Sequence, residues 1–268
     1  MRTDKIIGCN FVTSHKQIGN TDMPYRRLPT TDKARLRALE AALQTASENS
    51  IEDLAFSQPI LEELKLVKMN FGNAIKQYEA DAKFQTKKSA VYKAAFEKAY
   101  LYVSHFIQVV YMTIERGELT EEVLQHYELD NSDGKIPQLK TEKELIEWGN
   151  RIIAGEKKRM QNGGSPIYNP SIALVKVNVE NFRETAIFQN TLKKNTIRSY
   201  EKLNKQRNIT NDFISRMWNE IEENVGGDSP KHKRQLAQEY GLVYIFRRKE
   251  KKKLRSEDLQ RDLIFEFN

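Results

Sequence analysis

Cysteine is almost missing from this chain: Cys9 is the only one in 268 residues. A single thiol closes no intramolecular disulfide, and the expectation is a reducing, cytoplasmic setting. Glycine and proline are sparse, at 12 and 7, which suits long helices joined by few turns. No apolar run approaches the ~20 residues needed to cross a bilayer. The richest, Val103 to Ile114, carries His105, Gln108 and Tyr111. No apolar core follows Met1 to Cys9, so no signal peptide is expected there.

Linear motifs of chemistry are also lacking. The four histidines, His15, His105, His126 and His232, form no His-Glu-x-x-His or Glu-x-x-His repeat, so neither a zinc site nor a di-iron bundle is expected. His105, among Val103, Phe106 and Ile107, reads as a partly buried, hydrogen-bonded histidine. Gly163-Gly164-Ser165-Pro166 lacks the spacing of a phosphate loop. No nucleophile elbow is present, and adjacent acids such as Glu62-Glu63 and Glu121-Glu122 are ordinary helix surface. The expectation is no cofactor, no metal and no catalytic residue.

What is present is helical period at length. Leu61, Leu64, Phe71, Ile75, Tyr78 and Ala82 recur three, four or seven apart, as one helix face requires. The pattern resumes at Tyr92, Phe96, Ala99, Val103, Phe106 and Val110. A shift of 111 residues repeats much of it: Pro59 falls on Pro170, Phe71 on Phe182, Ser104 on Ser215. With two extra residues, Tyr127-Glu128-Leu129 falls on Tyr240-Gly241-Leu242. The expected fold is all-α: tandem, internally duplicated antiparallel helical bundles with a short basic C-terminal tail containing β-structure. In style this is similar to bacterial helical-repeat proteins, with no motif specific enough to import a function.

The expected divisions are an N-terminal arm at 1–29, a first bundle at 30–129, a second at 138–240, and a basic tail at 241–268 with a possible β-hairpin. Thr30 or Thr31 caps the first helix, and Thr141 with Glu144 makes a capping box. The stretches 59–116 and 170–227, each opening on a proline, are expected to hold two helices apiece, turning near Thr86-Lys87-Lys88-Ser89 and Lys193-Lys194-Asn195-Thr196. Leu242 to Phe246 reads as a strand, and Leu263 to Phe267 as its candidate partner.

Net charge is +7. From Ser229 onward there are eleven Lys or Arg against six Asp or Glu, so the first 228 residues read as nearly balanced. The basic patch is Arg247, Arg248, Lys249, Lys251, Lys252, Lys253 and Arg255. It can hold a phosphate backbone, though no aromatics interleave with it. Contact candidates are the aromatic stripe Tyr92, Phe96, Tyr100 and Tyr102, with Trp148 before the 155–170 loop and Tyr168 within it. That loop, with Arg151, Glu156, Arg159, Asn162 and Asn169, is the first place to seek a ligand. The expected function is a non-enzymatic structural or adaptor protein acting through protein contacts or self-association. The alternatives are nucleic-acid binding through the tail, or an enzyme whose site is not visible in sequence.

Overall fold

The computed structural model describes residues 25–129 and 134–246. Among these the chain is mostly helical. Helices α1 (Asp32–Glu48), α2 (Gln58–Glu115), α3 (Leu124–Tyr127), α4 (Glu142–Gln161), α5 (Ile172–Asn224) and α6 (Pro230–Glu239) account for most of it. Two short strands, β1 (Tyr25–Arg26) and β2 (Tyr244–Ile245), pair antiparallel. No helix among the described residues is long and apolar enough to cross a membrane.

Helices α2 and α5 run unbroken for 58 and 53 residues. This corrects the expected turns. The polar segments that read as breaks satisfy themselves inside the helix. Thr86 donates to the Ala82 carbonyl (2.9 Å), Thr196 to Leu192 (3.1 Å) and Ser199 to Thr196 (3.0 Å). Such hydroxyls tolerate a helix when they bond back to it, and lysine is a good helix former. Pro170 does not open its helix as Pro59 does: α5 begins two residues later, after a short bridge between Tyr168 and Ser171.

The chain divides into two compact units. The first joins residues up to Lys68 with those from Asn211 onward. Its buried side chains include Leu39 on α1, Leu64 on α2, Phe213, Met217, Trp218 and Ile221 on α5, and Ala237 on α6. Thr31 caps α1 by accepting from the Ala34 amide at 3.2 Å. One turn on, Arg35 is buried and donates to Asn211 (2.7 Å), to the Thr30 carbonyl (3.2 Å) and to Asp32 (3.1 Å). Here α2 and α5 run antiparallel: Arg216 clamps Glu63, and the Ser57 amide donates to Glu220 (2.7 Å). At the end of α6, Thr45 of α1 donates to the Glu239 carbonyl (2.8 Å), and Tyr240 accepts from the Ala55 amide (3.2 Å).

The tail strand exists, but its partner among the described residues is β1 from the N-terminal arm, with Tyr25 opposite Ile245 and Arg26 opposite Tyr244. The Arg27 amide extends the pairing to the Val243 carbonyl at 2.8 Å. The other candidate strand, 263–267, lies outside the described residues, as do Cys9, His15 and the basic run 247–255.

The second unit is residues 69–210. Its core gathers Val103, Phe106, Ile107 and Val110 of α2, Tyr127 of α3, Leu145 and Ile152 of α4, and Val175, Val179 and Phe182 of α5. The Thr141–Glu144 capping box starts α4, with both reciprocal bonds made. Two glycines let α4 approach its neighbours. A Cβ on Gly149 would lie 2.7 Å from Val179, and one on Gly155 would strike the His126 carbonyl and Tyr127. Sequence alone made Gly155 merely a weak spot in the helix; here it is a contact surface.

Candidate functional site

Residues 155–161 of the expected loop are the last turns of α4, and the loop that remains, 162–171, is anchored by a fully buried ion pair. Glu156 and Arg159, one turn apart on α4, are 0% and 3% exposed. Arg159 grips both carboxylate oxygens at 2.8 Å. The Tyr127 hydroxyl donates to the same carboxylate and accepts from Arg159 at 3.0 Å. The remaining valences point into the loop: Arg159 donates to the Ser165 carbonyl (2.6 Å), and the Ile167 amide donates to Glu156 (3.4 Å). Burial is the strongest influence on Glu156 and acts to raise it. The guanidinium, the phenol and the amide together outweigh it, and the carboxyl sits below its ordinary range. Tyr127 is pushed up, first by burial and then by the carboxylate it bonds. A carboxylate saturated in this way is a fixed brace, with no lone pair facing solvent.

Above this brace stands Tyr168, 80% exposed. Gly163, at φ +86°, turns the chain, and Gly164 lies so close to Arg159 that a Cβ would come within 2.7 Å of its guanidinium. Beside the loop is a cleft of about 520 Å³. Met112, Leu119, Pro166, Ile167 and Tyr168 supply apolar wall, with Arg116 and Glu118 at the polar side.

The other predicted contact residues scatter. Tyr92 is half-buried, its hydroxyl 3.3 Å from Glu142, and burial first, then that neighbouring carboxylate, raises its pKa. Phe96 lies edge-on to Phe182, with centroids 5.3 Å apart. Tyr102 is half-buried against the core, while Tyr100 is exposed. Trp148 is half-buried and stacked under Arg151, 4.8 Å from ring centroid to guanidinium. His105 is exposed, not partly buried as its apolar neighbours implied: those neighbours point into the core and it points away. Among the described residues no group of three His, Cys, Asp or Glu gathers in metal-binding range.

A second feature was hidden by averaging charge over the body. In the second unit, residues 69–93 of α2 lie antiparallel to 182–210 of α5, marked by the ring pairs Tyr92–Phe182, Phe84–Phe188 and Tyr78–Tyr200 at 5.7, 6.4 and 5.6 Å. These two segments hold twelve Lys or Arg against four Asp or Glu. The rest of the first 228 residues holds twenty-one against twenty-seven. The near-balanced body is therefore a basic middle offset by acidic surroundings. The seam of this section is mixed, with Ala186, Leu192 and Leu203 buried beside polar groups. Gln189, Ser199 and Thr210 are buried in it, and neither Gln189 Oε1 nor Thr210 Oγ1 has a hydrogen-bond partner. Other apolar side chains stand outside: Phe84, Val91, Phe188, Ile197 and Tyr200 are each between 45% and 56% exposed.

The family models, the curated proteins and the solved structures all fail to match this chain.

Proposed function

We propose that the protein is a non-enzymatic adaptor that works by protein contact, and that the 163–169 loop with its cleft presents the contact surface. The observation that carries this reading is an exposed aromatic held on a braced loop. Tyr168 offers a large apolar ring with a polar tip to solvent, while Glu156 and Arg159 hold the loop backbone from beneath. A backbone fixed before binding loses little freedom on contact, and tyrosines are among the residues that dominate interface energetics.

The duplicated origin of the chain belongs to the same proposal. At a shift of 111, Leu64 and Val175, Phe71 and Phe182, Val103 and Ile214, Phe106 and Met217, and Val110 and Ile221 are all buried pairs. Both copies also end a helix alike. Glu128 and Gly241 adopt left-handed φ of 57° and 87°. Leu129 then donates back to Leu124, as Leu242 does to Ala237, which is the bond of a Schellman cap.

A photo-crosslinking phenylalanine analogue at position 168 tests the contact reading, with the same group at exposed Lys157 as control. Irradiation of the purified chain at ~100 μM, a concentration that reports even weak association, and of a cell extract should give adducts at 168 in at least one setting. Adducts no stronger at 168 than at 157 in both settings would remove this surface from the reading.

A further inference from the structure

We infer that the basic middle of the second unit is a nucleic-acid binding surface, independent of the C-terminal basic run. Three observations converge there. The first is charge density. Of the twelve cationic side chains, nine are exposed, among them Lys76, Lys83 and Lys87 on α2 and Lys194, Arg198 and Lys205 on α5. Lys93 is paired with Glu97 at 3.8 Å. No carboxylate among the described residues lies within ion-pair distance of the six just named.

The second is placement. With about 100° per residue, Lys194, Arg198 and Lys205 lie roughly 140–180° from the buried Leu203 that marks the seam, and Lys202 roughly 100° away. Taken with sign, these three fall within about 40° of one another, so they form one outward stripe along α5 with Lys202 at its edge. A stripe of cations along a helix matches the row of phosphates of an extended polyanion. The third is chemistry between the charges. Asn190, Asn195, Asn204 and Asn208 are exposed amides, which donate to phosphate and sugar oxygens. Phe84, Phe188 and Tyr200 are half-exposed rings, and two are already met by cations: Lys88 lies 5.6 Å from the Phe84 centroid and Arg207 5.6 Å from that of Tyr200. Basic side chains interleaved with exposed rings make a surface for phosphate contact with base stacking, the interleaving that the tail run lacks.

The test uses the full chain and fluorescently labelled 30-nucleotide single-stranded and duplex DNA, read by anisotropy from ~50 to ~200 mM salt. The variants are Lys194→Glu/Arg198→Glu/Lys205→Glu and its milder form Lys194→Gln/Arg198→Gln/Lys205→Gln. The comparison is Lys251→Ser/Lys252→Ser/Lys253→Ser in the tail. The glutamine variant should weaken binding by about tenfold or more and flatten the log K against log salt slope by roughly 0.7–0.9 per lost phosphate contact. The tail variant should keep most of the affinity. Tyr200→Ala should weaken single-strand binding more than duplex binding. Circular dichroism checks helix content, and the glutamine variant decides if the glutamate variant unfolds. The inference is overturned by no binding at ~50 mM salt, where backbone contacts are strongest. It is equally overturned if the central variants bind like the unaltered chain, if the tail variant alone abolishes binding, or if anionic phospholipid vesicles bind while DNA does not.

Discussion

Glu156 shows how far a side chain's meaning depends on what surrounds it. In sequence it is one of 37 acids; in the fold it is fully buried and shared by Arg159, Tyr127 and the Ile167 amide. Removing one partner of such a pair leaves the other charge buried alone, which costs ~3–5 kcal/mol, whereas replacing both with apolar groups of similar volume is often neutral. Glu156→Gln should therefore lower thermal stability sharply, and Glu156→Met/Arg159→Met should recover most of it. Equal damage by the single and double variants in thermal melts would show that the pair is not the brace described. Titration gives a second reading. The folded carboxyl lies below its ordinary 4.5, so its contribution is present above that pH and fades as pH falls through the folded value. Tyr127 is shifted the other way, above 10.0; its contribution is whole below pH 10 and fades at higher pH. Unfolding midpoints should fall on the acid side in the unaltered chain and fall less there in the double variant, which lacks the carboxyl.

Among the elements, the long helices carry the clearest test, because the expected turn and the observed continuity differ by tens of ångströms. With Cys9 replaced by serine, spin labels at exposed positions 76 and 112 of α2 are 36 residues apart, or ~54 Å at 1.5 Å per residue. A turn at 86–89 would instead fold the two labels back toward each other. A pulsed dipolar distance under ~30 Å would refute the single helix, since no 36-residue helical span is that short. Helix existence, caps and much of the buried face were legible in the sequence, because period 3.6 and Thr141–Glu144 are local signals. Continuity was not legible: Thr86, Thr196 and Ser199 have the residue types of a turn, and only their back-bonding to the helix settles the matter. Strand β2 was legible from its β-branched and aromatic run, but its pairing with Tyr25–Arg26 was not, because that contact joins residues some 220 apart. The loop around Tyr168 was singled out in the sequence as a place to look, yet the bonding of Glu156 and Arg159 beneath it depends on Tyr127, which no local pattern connects to them.

For the molecule as a whole, packing does not follow chain order, and that gives unequal expectations for its pieces. The second unit is one continuous stretch, 69–210, and its core from Ala95 to Ala186 lies wholly within it. The first unit is assembled from two distant stretches: Leu39 and Leu64 come from one, Phe213, Met217, Trp218 and Ile221 from the other. A fragment of residues 69–210 contains the whole of the second unit's core, the Glu156–Arg159 pair and the Thr141 cap. It should fold alone with high helix content and a cooperative melt, at some loss of stability because cutting exposes new helix ends. A fragment of residues 25–68 keeps α1 and the first turns of α2 but loses Trp218, Phe213 and the α6 partner of Thr45. Short helices without a packed face are marginal in water, so this piece should show little helix by circular dichroism. Adding a peptide of residues 211–246 should raise its helix signal above the sum of the two spectra. A cooperative, helical 25–68 fragment on its own, or a non-cooperative 69–210 fragment, would contradict this division. The same 69–210 fragment retains all twelve cations of the basic middle and none of the tail. It should therefore bind labelled DNA nearly as tightly as the full chain at ~100 mM salt, and steep weakening with added salt would identify phosphate as the group being held.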